Sequence, residues 1–310
     1  VKRRVHIVAH DAGGAEVLAA WCRENRGAFE FCCTCRGPAL PIFQRDLSSL
    51  PFVALEAISL LAPDGLLLTG TSLEADLERT ALEIARRSGV RSVAFLDHWD
   101  LYRERFGDAS TWRGGLPDEI WVGDRYAYEK ALHDGFPEGR LKLVENPYFK
   151  EILALGATAA RPSGYGRILY VCEPVSRKLA AAFGASASEY PDETEIMGLF
   201  LDAVHAHREE IEAVTLRLHP SEDPSKYETL LGRCLGGPPV AYSKNSSLAD
   251  DILGHSVVVG IESNALVIGL LLGRAVYSCI PRRPWDISLP HREIRRIPNF
   301  DRIFSSEEHQ

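Results

Sequence analysis

The stretch Arg4-Val5-His6-Ile7-Val8-Ala9-His10-Asp11-Ala12-Gly13-Gly14-Ala15-Glu16-Val17-Leu18-Ala19-Ala20 decides the fold. Arg4 to His10 has the β-branched, apolar character of a buried strand. A loop from His10 to Gly14 follows, and Ala15 to Glu24 reads as a helix. Strand, glycine turn and helix in that order open a parallel α/β sheet, because a parallel strand returns only through a crossover. Further buried-strand runs occur at Phe29 to Thr34, Gly65 to Leu68, Ser92 to Leu96 and Glu119 to Val122, with a charged amphipathic helix expected over Leu73 to Arg87. The last three runs end in polar residues: Thr69-Gly70-Thr71-Ser72, Asp97-His98-Trp99-Asp100 and Gly123-Asp124. Open parallel sheets take ligands beyond the carboxyl ends of their strands, so these loops are expected to share one rim.

Composition shifts near Asn146-Pro147, and Gly156 to Gly166, rich in Ala, Thr, Pro, Ser and Gly, reads as a linker. The pattern then restarts. Arg167 to Val171 is a strand ending in Cys172-Glu173-Pro174, and a helix is expected from Asp192 to His207. Val214 to Leu218 ends in His219-Pro220-Ser221, and Val240 to Ser243 leads to Lys244-Asn245-Ser246-Ser247. Ser256 to Ile261 runs into Glu262-Ser263-Asn264 and a Leu-rich helix reaching Gly273, and Ala275 to Ile280 is the last strand. The expected fold is α/β, with two Rossmann-like doubly wound domains, 1–155 and 156–310, facing a central cleft.

The 310 residues, 45% hydrophobic and 25% charged, suit two globular domains. A net charge of −8, from 35 basic and 43 acidic residues, argues against nucleic-acid partners. The most apolar stretch, Val257 to Ile280, is broken by Glu262, Ser263, Asn264 and Arg274, so no transmembrane segment is expected. The first residues lack the pattern of a signal peptide, and a cytoplasmic protein is expected. Cys32, Cys33 and Cys35 crowd one strand-like run among seven cysteines, an odd number that disfavours a disulfide framework. No second ligand pair accompanies them at metal-binding spacing.

Two features point to chemistry in the second half. Ser263 opens a helix, where a side-chain cap, backbone N–H groups and the helix dipole attract an anion, although a serine there also serves as a plain cap. His219-Pro220 ends a strand, and the proline fixes the backbone so that the imidazole is presented at the rim. Glu173, Ser246 and Ser247 fall at equivalent strand ends or helix starts, where a doubly wound half collects a nucleotide.

Four segments together resemble the donor domain of GT-B glycosyltransferases. They are Leu216-Arg217-Leu218-His219-Pro220, Ala249-Asp250-Asp251-Ile252-Leu253, Val258-Val259-Gly260-Ile261-Glu262-Ser263-Asn264-Ala265-Leu266 and Leu272-Gly273-Arg274-Ala275-Val276. The similarity is to the bacterial sialyltransferase and capsule Kdo-transferase type, in which an HP motif and a later serine motif hold the phosphate of a CMP-sugar. It implies a donor-nucleotide site of Glu173, Arg217, His219, Pro220, Ser246, Ser247, Glu262, Ser263 and Asn264, with His219 on the phosphate. The implied activity is transfer of a sugar from a nucleotide sugar, CMP-linked first, to a hydroxyl acceptor in glycan or natural-product biosynthesis. The acidic, glycine-containing motif of those sialyltransferases has no clean copy here. Leu96-Asp97-His98 also resembles a loop of CDP-glycerol transferases and 2-epimerase-like proteins. A UDP-sugar 2-epimerase or hydrolase, a CDP-glycerol-type transferase and a non-catalytic nucleotide-sugar-binding protein are the alternatives.

Transfer to a hydroxyl needs a group that takes its proton. The candidates are Asp97, His98 and Asp100, then Asp11, with His219 stabilising the leaving phosphate. Asp11, Gly13, Gly14 and Trp99 are assigned to the acceptor side. Trp99, Tyr102, Trp112, Trp121, Tyr126 and Tyr128 form either a stacking platform for a sugar or ordinary packing. No Asp-x-Asp triplet offers itself to a divalent ion, and a metal-independent enzyme without further cofactor is expected. The absence of Gly-x-Gly-x-x-Gly and of a phosphate-binding Gly-x-x-x-x-Gly-Lys loop disfavours a nicotinamide enzyme and an ATPase. His291 to Arg296 reads as a solvated basic helix face.

Overall fold

A computed structural model describes residues 2–73, 75–160, 166–176, 179–180, 184–232, 236–245, 247–281 and 288–304. The chain divides into two compact units, Val1–Glu151 and Ile152–Gln310.

In the first unit six parallel strands are ordered β2-β1-β3-β4-β5-β6: β1 (Arg3–Ala9), β2 (Phe29–Cys35), β3 (Leu66–Thr69), β4 (Arg91–Leu96), β5 (Glu119–Val122) and β6 (Leu141–Leu143). The short edge strand β6 lies beyond the runs legible in the sequence. Val5, Ile7 and Ala9 on β1 pack with Val17, Leu18 and Cys22 of the helix Ala12–Asn25 and with Phe31 and Cys33 on β2. The crowded cysteines Cys32, Cys33 and Cys35 are buried in the sheet as small apolar side chains. The first helix begins at Ala12 rather than Ala15, with Ala15 N–H bonded to Asp11 O at 3.0 Å. Gly13 and Gly14 thus form a first helical turn and not a loop. A Cβ on Gly14 would lie 3.3 Å from Gly70 Cα, so that glycine admits the end of β3. The helix expected from Leu73 starts at Leu77, and ahead of it Ser72 Oγ accepts from Ala75 N–H at 3.1 Å.

The second unit has the strand order β12-β11-β10-β7-β8-β9, again all parallel. The strands are β7 (Arg167–Val171), β8 (Ala213–Arg217), β9 (Val240–Tyr242), β10 (Val257–Gly260), β11 (Ala275–Cys279) and β12 (Arg295–Ile297). Arg295 and Arg296 sit on edge strand β12, not on a helix; Ile294 and Ile297 are buried beside them, and Arg295 Nη1 donates to Tyr277 Oη at 2.9 Å. The segment read as a linker is helical in its first part, since Pro147–Thr158 is one helix capped by Asn146 Oδ1. Gly156 lies inside it, where a Cβ would stand 2.8 Å from Leu271 O; residues 161–165 lie outside the described residues. The helix Glu193–Ala206 carries a full capping box between Asp192 and Glu195, close to the expected bounds.

Each sheet reverses its winding once. The reversal falls between β1 and β3 in the first unit and between β7 and β10 in the second. Loops leaving two such neighbours go to opposite faces and open a crevice, the place where doubly wound sheets take ligands.

Candidate functional site

At the β7/β10 reversal, Glu173 and Glu262 are both buried. The Glu262 N–H donates to Glu173 Oε2 at 2.8 Å, and Ser288 N–H donates to Glu262 Oε1. Their carboxylates are thus engaged with backbone and brace the crevice, at two of the positions assigned to the donor-nucleotide site. Ser263 follows at the N-cap of the helix Asn264–Leu271, half-buried, with its Oγ accepting from Ala265 N–H at 3.2 Å. Asn264 occupies the first helical position. The positive end of the helix dipole therefore opens beside the brace.

His219 lies beyond β8, half-buried and outside the hydrophobic core. Its Nδ1 is 2.8 Å from Ser221 Oγ, and its N–H donates to Glu222 Oε2 at 3.2 Å. Glu222 is in turn gripped by Tyr227 Oη at 2.5 Å and Lys226 Nζ at 3.1 Å, so the turn through exposed Pro220 is rigid. Arg217 does not point a free charge at a ligand. Its guanidinium pairs with buried Asp251 and donates to Asn245 O and Ser247 O at 3.2 and 3.3 Å. It fastens β8 to the next loop, in which Ser243 and Asn245 also donate to Asp251. Ser247 caps the six-residue helix Leu248–Leu253, and Ser246 lies outside the described residues.

The β1/β3 reversal in the first unit is richer in ionisable groups than the sequence suggested. Asp11 Oδ1 lies 2.8 Å from His10 Nδ1 and accepts from Ser72 Oγ at 2.9 Å. Glu78, 3% exposed, accepts His10 N–H on Oε1 at 2.7 Å, and burial pushes its carboxyl up to about 7. Asp97 at the end of β4 is buried beside Arg105, 3.9 Å away. Burial raises its carboxyl above the ordinary range, with Arg105 opposing the rise. Arg105 also donates to Thr71 O at 3.2 Å and to Asp100 O at 3.3 Å, joining the β3 and β4 loops. Asp97 is thereby a gripped, buried acid. His98 and Asp100 flank it half-buried, and His98 lines a small cavity with Trp99, Gly123 and Asn146.

Half of the six rings read as a possible sugar platform are buried in packing. Trp99, Tyr102 and Trp112 are 3%, 1% and 4% exposed. Trp99 donates from Nε1 to Asp124 Oδ2 at 2.8 Å and stacks on Phe149, so it anchors the β4 loop instead of presenting a face. Trp121 packs against Trp21 at the core, and Tyr126 is exposed. His10, Glu78 and Arg105 were missed as site residues. Glu78 has the local signature of a solvated helix residue, and only the loop laid over it by the sheet order reveals its burial.

No family model matches the chain, and no curated protein sequence does. Among the described residues no helix is long and apolar enough to cross a membrane. Solved structures are similar over nearly the whole chain. The UDP-GlcNAc 2-epimerase of Methanocaldococcus jannaschii, in complex with UDP-GlcNAc and UDP, matches with a TM-score of 0.66 at 9% identity, covering 97% of this chain and 90% of that one. The UDP-GlcNAc 2-epimerase of Neisseria meningitidis bound to UDP-GlcNAc gives 0.55 at 10% identity, with 90% and 82% covered. A glycosyltransferase from Rickettsia africae gives 0.53 at 8% identity, with 90% and 79% covered. Identities of this size speak to architecture alone, and the architecture of this chain is the two-domain α/β fold of the GT-B-like class.

Proposed function

We propose that the chain is a glycosyltransferase that moves a sugar from a nucleotide sugar to a hydroxyl acceptor. The observation that carries this reading is the β7/β10 crevice, where a backbone-locked pair of glutamates stands beside the Ser263 helix start. As the bond from sugar to phosphate breaks, negative charge grows on the phosphate. The helix start and the half-buried His219 imidazole are the second unit's means of stabilising it. The acceptor's proton goes to a group of the first unit, in the loops after β1, β3 and β4. The neighbours solved with UDP-GlcNAc support a UDP-linked donor ahead of the CMP-linked one that the sequence resemblance implies. No cofactor beyond the nucleotide sugar enters the reading, so turnover is expected to survive EDTA.

A second reading, sugar-nucleotide 2-epimerase, is favoured by two observations. The fold is shared with UDP-GlcNAc 2-epimerases solved with UDP-GlcNAc, and the first unit holds two buried carboxyl groups, Glu78 and Asp97, of the kind that removal and return of a proton at one carbon require.

Thermal protection by UDP, CMP, CDP, GDP and ADP, followed by product analysis of the protecting nucleotide's sugars with and without acceptors, tests both. A ligand bound only by the folded state raises apparent stability. Protection by none of the five overturns nucleotide-sugar chemistry. An epimerised or free sugar formed without acceptor overturns transfer in favour of the second reading.

A further inference from the structure

We infer that the first unit holds a subsite for a small hydroxyl-bearing anion, with His10 as the general base and Arg36 as the anion's anchor. A cavity of about 300 Å3 is lined by His10, Arg36, Leu55, Asp76, Leu77 and Thr80 among others. That volume lies at the small end of ligand sites and suits an occupant no larger than a monosaccharide derivative.

A carboxylate oxygen accepts, so the 2.8 Å contact of Asp11 Oδ1 with His10 Nδ1 assigns the ring proton to Nδ1 and the lone pair to Nε2. Ser72 donates to the same Asp11 oxygen, and Glu78 holds the His10 backbone, so the pair is fixed from two sides. Gly37 closes over the ring. Its φ of +52° is left-handed, and a Cβ there would stand 2.5 Å from His10 Nε2. The His10 side chain keeps 26% of its surface open, and Nε2 makes no hydrogen bond among the described residues.

Arg36 follows β2, with its N–H bonded to Ala9 O at 3.1 Å, which fixes its backbone beside the end of β1. Its guanidinium has no carboxylate partner among the described residues, whereas Asp76 on the same cavity is paired with Arg79. A planar guanidinium matches a carboxylate or a phosphate monoester through two parallel hydrogen bonds. Leu55 and Leu77 supply an apolar wall.

This subsite deepens the transferase reading by naming the acceptor's chemistry, and it rests on that reading for the reaction step only. There the acceptor O–H bond breaks and its proton goes to His10 Nε2. The oxygen's electron pair forms the bond to the sugar's anomeric carbon, and the bond from that carbon to the donor phosphate oxygen breaks, leaving its pair on the phosphate. Asp11 is a positioning residue that acts through His10.

The test titrates the full chain, 15N-labelled at histidine, with glycerol 3-phosphate, glycerate and glycerol, with the His10 ring signals assigned by their loss in His10→Gln. A saturable shift is expected with one of the anions and none with glycerol; which anion binds separates a phosphate monoester from a carboxylate. Affinity should fall at least tenfold in Arg36→Ala and partly recover in Arg36→Lys. Asp11→Asn should move the ring from the Nδ1–H toward the Nε2–H tautomer, which loosened packing alone would not do. Absence of saturation with both anions, unchanged affinity in Arg36→Ala, or an Nε2–H tautomer in the wild-type chain would overturn the subsite. Anion binding without nucleotide protection sinks the transferase reading and leaves the subsite standing; nucleotide protection without anion binding does the reverse. In a turnover assay His10→Gln should cost at least a hundredfold and Asp97→Asn less; the opposite order removes His10 as the base.

Discussion

The backbone N–H of Glu262 donates to Glu173 Oε2 at 2.8 Å, and this bond joins the ends of β10 and β7 where the sheet reverses its winding. Glu262 is nearly excluded from water, so its N–H loses a buried acceptor when Glu173 is truncated. Glu173→Ala is expected to cost about 1–3 kcal/mol, the penalty of a buried donor left unsatisfied. Urea unfolding measures it. Glu173→Gln retains a carbonyl oxygen and should recover most of the loss. Nucleotide protection should follow the same order, absent in the alanine variant and present in the glutamine one. Equal stability of the two variants would mean that the brace does not hold the crevice.

His219 tests the phosphate site with little risk to the fold. Its ring contacts Ser221 and stays clear of the hydrophobic core, so His219→Ala should unfold within about 0.5 kcal/mol of wild type. Nucleotide diphosphate affinity should weaken about tenfold, the size of one hydrogen bond to a charged group. Isothermal titration with UDP reads it. Unchanged affinity would remove His219 from the phosphate site.

The two sheets were legible in the sequence because buried parallel strands read as continuous apolar runs, as Leu66 to Leu68 and Val257 to Gly260 do. Edge strands Leu141–Leu143 and Arg295–Ile297 were not, since Lys142 in the one and Arg295 and Arg296 in the other break the apolar run. Position at the rim was legible for Asp97, His219 and Ser263, because strand ends are marked by a change to polar residues. Their partners were not. Arg217 meets Asp251 across 34 residues and Glu78 meets His10 across 68, and no local pattern encodes such pairings. The aromatic cluster was open to two readings because ring count does not distinguish a core from a platform.

Glu78 and His6 give the fold two opposed pH dependences. Burial raises Glu78 from 4.5 to about 7, so the folded chain keeps a proton that the unfolded chain has already lost. Stability from this group is full below about pH 4.5 and declines as pH rises to about 7. Burial lowers His6 from 6.5 to about 4, so the unfolded chain takes up the proton first. Stability from His6 is full above about pH 6.5 and is lost as pH falls toward 4. Each is worth about 3 kcal/mol at most. Between pH 4.5 and 6.5 the two slopes oppose, and the joint contribution of Glu78 and His6 is nearly flat there. Glu78→Gln removes the falling limb, so its melting temperature should gain on wild type by several degrees between pH 5 and pH 8. A constant difference across that range would show that Glu78 titrates normally.

Gly260 and Val171 set the distance between the same two strands that Glu173 and Glu262 tie. A Cβ on Gly260 would lie 2.6 Å from Val171 Cγ2 and 3.3 Å from Val171 O. Gly260→Ala should therefore cost about 1–3 kcal/mol by overpacking. Val171→Ala alone should cost about as much through the space it leaves, since Val171 is buried. The pair is expected to be non-additive, because the valine methyl removed is the one that the new Cβ meets. The double variant should recover at least about 0.5 kcal/mol relative to the sum of the single ones. Gly260→Ala should also lose nucleotide protection, since the added carbon forces β10 from β7 and stretches the Glu262 to Glu173 bond. The double variant should regain it. Strictly additive costs, or protection intact in Gly260→Ala, would separate the strand spacing from the crevice and leave the glycine a packing residue only.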